Sequence, residues 1–162
     1  QMDLPYWQTF FKEDNNKLEF SFLDEDDDDV YEPVNELQQK ALEYLKENQE
    51  QILKSFLKSL LERYPTLQKA YDFNEEDKPY FMPDIKVIED FSVLLTSCAC
   101  YIMNVYKDDF PYFGFSFGCP WDNEHGLGVM MYKDRVLKID DEEIAYSTHT
   151  AENDLENYKG NN

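Results

Sequence analysis

The residues best equipped for chemistry lie in one run, Gly118-Cys119-Pro120-Trp121-Asp122-Asn123-Glu124-His125-Gly126-Leu127-Gly128-Val129. Asp122, Glu124 and His125 are of the types that coordinate a divalent cation or exchange protons as acid and base. Their number works against both uses. A metal centre needs three or four converging ligands, and the second histidine, His149, falls in a stretch without apolar periodicity. No catalytic or metal-ligating set is therefore assigned, and nothing in the sequence asks for a cofactor. The plainer expectation is a structured connection between two strands. Trp121 and the glycines fix it, Gly126 through the backbone freedom it allows. Asp122, Glu124 and His125 tie its backbone to the adjoining hairpin.

Other candidate groups carry less. Cys98, Cys100 and Cys119 are odd in number and lie in apolar stretches, so reduced, unpaired, buried thiols are expected. Asp24 to Asp29 is a run of six carboxylates without the glycine or closing glutamate of a calcium loop, and reads as an extended, solvated segment. Ser97, Ser116 and Ser147 lack a nucleophile-elbow setting. Gly114, Gly118, Gly126 and Gly128 follow no phosphate-loop spacing. Arg135 is expected to pair with Asp134 or with a carboxylate of the Trp121–Gly126 loop.

The elements that must position this loop follow from periodicity. Tyr6–Phe11 and Leu18–Leu23, around an Asp/Asn-rich turn at 13–16, read as a β-hairpin. From Asn35, an N-cap with Gln38 three residues on, apolar residues recur at helical spacing from Leu37 to Tyr64. Pro65 is expected to stop that helix, and a break near Asn48 would shorten its length. Residues 65–84 read as loop with one short helical turn, and 86–95 as a shorter helix. Strands follow at 96–105, 112–118, 127–132 and 135–139. On the second of these strands, Phe113, Phe115 and Phe117 alternate with Gly114, Ser116 and Gly118, a small face that expects the helix close above it. The reading is an α+β fold: an antiparallel sheet of five or six strands packed by one long and one short helix. A single domain spans 1–146, and 147–162 form an acidic, weakly structured tail.

Within its 162 residues, 35 acidic side chains face 15 basic ones, for a net charge of −20. Such a surface repels polyphosphate and anionic lipid, so no nucleic-acid or membrane partner is expected. Reduced cysteines and the lack of a signal-like opening favour a cytoplasmic location. The chain opens at Gln1 rather than Met, so that expectation leaves room for an upstream segment.

The Gly118–Val129 run, followed by Lys133-Asp134-Arg135-Val136, resembles the G-x-x-W-D-x-E-H-G-L-G-V…K-D-R-V signature of an uncharacterised bacterial domain family. The likeness extends to Glu47–Glu50 and Leu60–Tyr64. Similar W-D-x-E-H-G strings occur in domains linked with toxin–immunity systems, so the resemblance implies immunity-like binding by association. Charge points the same way, toward a non-enzymatic domain that neutralises a basic partner such as a toxin. The alternative is a metal-dependent or acid–base enzyme centred on Asp122, Glu124 and His125.

Overall fold

The computed structural model describes residues 3–12, 18–26 and 28–160, with Cys98 described by its backbone alone. The fold is α+β. The strands are β1 (Glu19–Leu23), β2 (Asp29–Val30), β3 (Thr96–Lys107), β4 (Phe110–Gly118), β5 (Leu127–Tyr132) and β6 (Arg135–Asp140). Among the described residues they form one sheet in the order β2-β1-β3-β4-β5-β6. All neighbours are antiparallel except β1 and β3, which run parallel with Phe20 beside Cys100. The sheet is thus mixed rather than wholly antiparallel.

The parallel pairing follows from a difference at the N-terminus. Residues Pro5–Phe11 form a helix, α1, not the first arm of a hairpin. Pro5 at the first helical position is pre-set for helix, and Trp7 and Phe11, four residues apart, are both buried on one face. The Trp7 indole N–H donates to the Gln49 carbonyl at 2.8 Å, and its ring packs on Phe115 and Phe117. The turn expected at 13–16 lies outside the described residues. In the described part of the acidic run, the Asp24 carboxylate accepts from the Asp26 and Asp28 N–H groups in a turn rather than an extended segment.

The apolar stripe from Leu37 to Tyr64 forms two helices, α2 (Glu36–Glu47) and α3 (Gln49–Tyr71), that break at Asn48. The Asn35 side chain caps α2 by accepting from Gln38 N–H at 2.9 Å, while Gln38 Oε1 accepts from Val34 N–H. Pro65 does not stop α3. Its missing N–H forfeits one bond to Leu61, but the turns on either side are anchored. The Tyr64 hydroxyl donates to the Pro83 carbonyl at 2.7 Å, and Gln68 Nε2 donates to the Met82 carbonyl at 3.0 Å. Residues 65–71 are therefore helix rather than loop. A short helix α4 (Lys78–Phe81) and a 3₁₀ helix over Ile88–Val93 lead into β3.

One face of the sheet carries Phe113, Phe115 and Phe117 against α1, α2 and α3, with the Phe56 ring stacked on Phe117 at 4.8 Å. The other face is covered by a 3₁₀ turn, Glu142–Tyr146, and by helix α5 (Thr148–Gly160), where a weakly structured tail was expected. Arg135 anchors α5 through two hydrogen bonds to the Asp154 carboxylate, 2.7 and 3.1 Å, and the Tyr112 hydroxyl donates to the same carboxylate. The small face of β4 accordingly faces this 3₁₀ turn and not the long helix. Gly114, Ser116 and the neighbouring Gly128 of β5 form a trough for it. No helix among the described residues is long and apolar enough to cross a membrane.

A Cβ on Gly114 would overlap the Ala145 backbone carbonyl, which cannot rotate aside. Gly114→Ala should therefore destabilise the protein by about 3 kcal/mol, as overpacking of a rigid site does. Chemical denaturation that shows a midpoint equal to wild type would contradict this packing.

Candidate functional site

The Pro120–Gly126 connection leaves β4 at the end of its phenylalanine face and keeps that alternation for two more positions. Cys119 and Trp121 belong to the same buried cluster as Phe113, Phe115 and Phe117. The Trp121 ring meets Tyr64 of α3 edge to face, with centroids 5.8 Å apart. Burial of this ring pins the start of the loop to α3. Cys119 is buried, and its thiol lies 3.8 Å from the Asp122 carbonyl.

Asp122 then organises the turn. One carboxylate oxygen accepts from the His125 backbone N–H at 3.0 Å and meets His125 Nδ1 at 3.1 Å. The other accepts from the Tyr71 hydroxyl at 2.9 Å. The Asp122 carbonyl accepts from Gly126 N–H at 2.9 Å, and the His125 carbonyl accepts from Glu142 N–H at 2.8 Å. Gly126 has φ +61°, a left-handed angle that glycine adopts without strain. The loop is thereby tied to the last turn of α3 and to the segment after β6.

These bonds line a cleft of about 410 Å³. Tyr71, Trp121, Leu127 and Ile139 form its apolar and aromatic surface, Arg63 and Thr66 lie on the α3 side, and Asp140 and Asp141 close the β6 side. The structure brings Trp121, Asp122, His125 and Gly126 together here. The His125 side chain is 64% exposed, so its backbone rather than its ring holds the loop in place. Glu124 is exposed and, among the described residues, ties no backbone group; it contributes charge near the His125 ring. Arg135 is not part of the site: it pairs with Asp154 of α5, not with Asp134 or a loop carboxylate. Among the described residues no group of three or more His, Cys, Asp or Glu is arranged to hold a metal ion.

Arg63, Tyr71, Asp140 and Asp141 were not singled out by sequence. Reading Pro65 as a stop removed Tyr71 from the helix. The signal was present nonetheless, since Arg63, Leu67 and Tyr71 recur every four residues and all line the cleft.

The electrostatics are set by Asp122. The hydrogen bond and the charge of its carboxylate raise the His125 pKa above the ordinary 6.5, with smaller contributions from Glu124 and Asp141. For Asp122 itself partial burial acts upward, but the hydrogen bonds from His125 N–H, the Tyr71 hydroxyl and the His125 ring outweigh it, and its pKa falls. Burial first, and then the bond to Asp122, push Tyr71 upward, so it stays a neutral donor. The signs define a window. The raised imidazole pKa gives a stabilisation that is full below about 6.5 and lost as pH rises through the folded-state value. The lowered carboxyl pKa gives one that is lost as pH falls through the folded-state value of Asp122.

Two outcomes follow. In an NMR titration, wild-type His125 should titrate above 6.5 and fall back toward it in Asp122→Asn; equal values in the two proteins would remove Asp122 as the cause. In thermal melts at a pH well above the His125 folded-state value, where the imidazole is neutral, Trp121→Ala should cost about 3–5 kcal/mol, whereas His125→Ala should leave stability essentially unchanged because its ring is exposed. A strongly destabilised His125→Ala would contradict the assignment of the tie to its backbone.

No curated protein and no solved structure matches the chain. A family match does exist and covers α1 through the 3₁₀ turn that fills the β4 trough, leaving α5 outside it. Over residues 1–146, most of its length, the chain belongs to the family described as a domain of unknown function, DUF6985.

Proposed function

We propose that this chain is a non-enzymatic binding domain that neutralises a basic partner, in the manner of an immunity protein acting on a bacterial toxin in the cytoplasm. The observation that carries this reading is the cleft beside the loop. An aromatic and aliphatic floor is edged by Asp122, Asp140 and Asp141, with Glu124 close by. A long cationic side chain suits such a place, because its methylene stem covers the apolar floor while its charged head meets carboxylates. Among the described lining residues, Arg63 carries an opposing full charge on the cleft wall. The surrounding −20 surface speeds the approach of a positive partner and competes with the phosphates that such a partner favours.

A second reading, general acid–base chemistry, rests on the chain of hydrogen bonds from Tyr71 through Asp122 to His125. It supplies a positioned imidazole, while the Cys119 thiol is buried rather than open to the cleft.

The experiment is a pull-down from the native organism with wild-type bait and with Asp140→Asn/Asp141→Asn bait. A basic protein should be retained by wild type, bound more weakly by the variant, and bound more weakly still at about 0.5 M salt, where the Debye length falls to about 4 Å. Retention of a partner that is insensitive to both changes would contradict the proposal.

A further inference from the structure

Beyond the cleft, on the far side of the same loop, two large hydrophobic side chains stand exposed within a surface that is otherwise mostly polar. Tyr80 is 77% and Val93 75% exposed. Both border one shallow depression together with Leu94, Pro120 and Asn123. Val93 and Leu94 also border a second depression, whose charged lining is Lys12, Asp84, Glu89 and Asp90. The two depressions therefore form one surface. Across residues 75–93 six acidic side chains stand against two lysines.

This surface is joined to the cleft in two ways. The loop separates them, with Asn123 facing the depression and Asp122 and His125 facing the cleft. A row of partly exposed aromatic rings also runs between them. Tyr71 of the cleft stacks with Phe73 at 6.3 Å, and Phe73 stacks with Phe81, the neighbour of Tyr80, at 5.3 Å. Tyrosine and phenylalanine held in place by stacking lose little freedom on binding, which is why rings of this kind serve as anchors at interfaces.

Building on the reading of the chain as a binder of basic partners, we infer that its interface straddles the Pro120–Gly126 loop. The cleft takes a basic side chain, and the Tyr80–Val93 surface takes an apolar side chain of the same partner segment. The segment that fits is therefore basic and carries a large apolar residue between lysines or arginines. A purely apolar partner would desolvate the carboxylates of Glu89 and Asp90 on the rim without bringing them a charge. A purely cationic one would leave Tyr80 and Val93 in water.

Two amidated synthetic peptides test this. One carries a Leu-Trp pair between lysine and arginine triplets; in the other, glycines replace that pair. Each is titrated into the full chain at low salt and followed by NMR amide shifts. The first peptide should bind about tenfold or more tightly than the second. It should shift Val93, Leu94 and Asn123 amides in addition to those of the cleft, whereas the second should shift the cleft alone. Tyr80→Ser/Val93→Ser, two exposed positions where folding is not at risk, should reduce the first peptide to the affinity of the second. Equal affinities, or shifts confined to the cleft with both peptides, would overturn the two-part interface and leave basic-partner binding standing. Failure of both peptides to bind would overturn both readings.

Discussion

Strand β4 is the constraint on which the rest of the structure depends, because it is buried on both faces and needs opposite things from each. On one side Phe113, Phe115 and Phe117 fill the space under α1, α2 and α3. On the other, Gly114 and Ser116 must stay small so that the backbone around Ala145 can lie against the sheet. A close-packed interior tolerates neither exchange of these roles nor an added methyl group. The strand therefore fixes where the helical layer sits, where the chain returns after β6, and where β4 releases the loop that begins at Pro120.

That pattern was also the most legible part of the sequence. Period-two alternation marked β4 and its large face. Periodicity alone could not say what lies above the small face, since a helix and a 3₁₀ turn both need small residues beneath them. Other differences share a physical origin in tertiary anchoring that overrides local signals. Pro65 lacks one hydrogen bond, but Tyr64 and Gln68 hold the helix on both sides of it. Residues 148–160 show little apolar periodicity, yet Asp154 binds Arg135 and Tyr112 and Ala151 is fully buried, which together seat α5. In α1 the spacing of Trp7 and Phe11 was helical, but six residues rich in aromatics read equally well as a strand.

For the site, the residue types were legible and their division of labour was not. Asp122, His125 and Gly126 belong to one turn, as their spacing suggests. That the His125 ring would face water while its N–H and carbonyl hold the loop depends on where α3 and the Glu142 backbone lie. Tyr71, Asp140 and Asp141 are far from the loop in sequence, and packing of α3 against β6 brings them to it. The outcome is a loop between a cleft edged by carboxylates and a surface that exposes Tyr80 and Val93.

The Asp122 carboxylate is the group that holds this loop in one conformation. Native-state hydrogen exchange in wild type and Asp122→Ala measures that directly. Removing the carboxylate should speed exchange at the His125 and Gly126 amides by about tenfold or more, the equivalent of a net hydrogen bond, while amides of β4 and β5 keep their protection. Unchanged protection at His125 and Gly126 would mean that the loop holds its shape without Asp122 and would contradict the account.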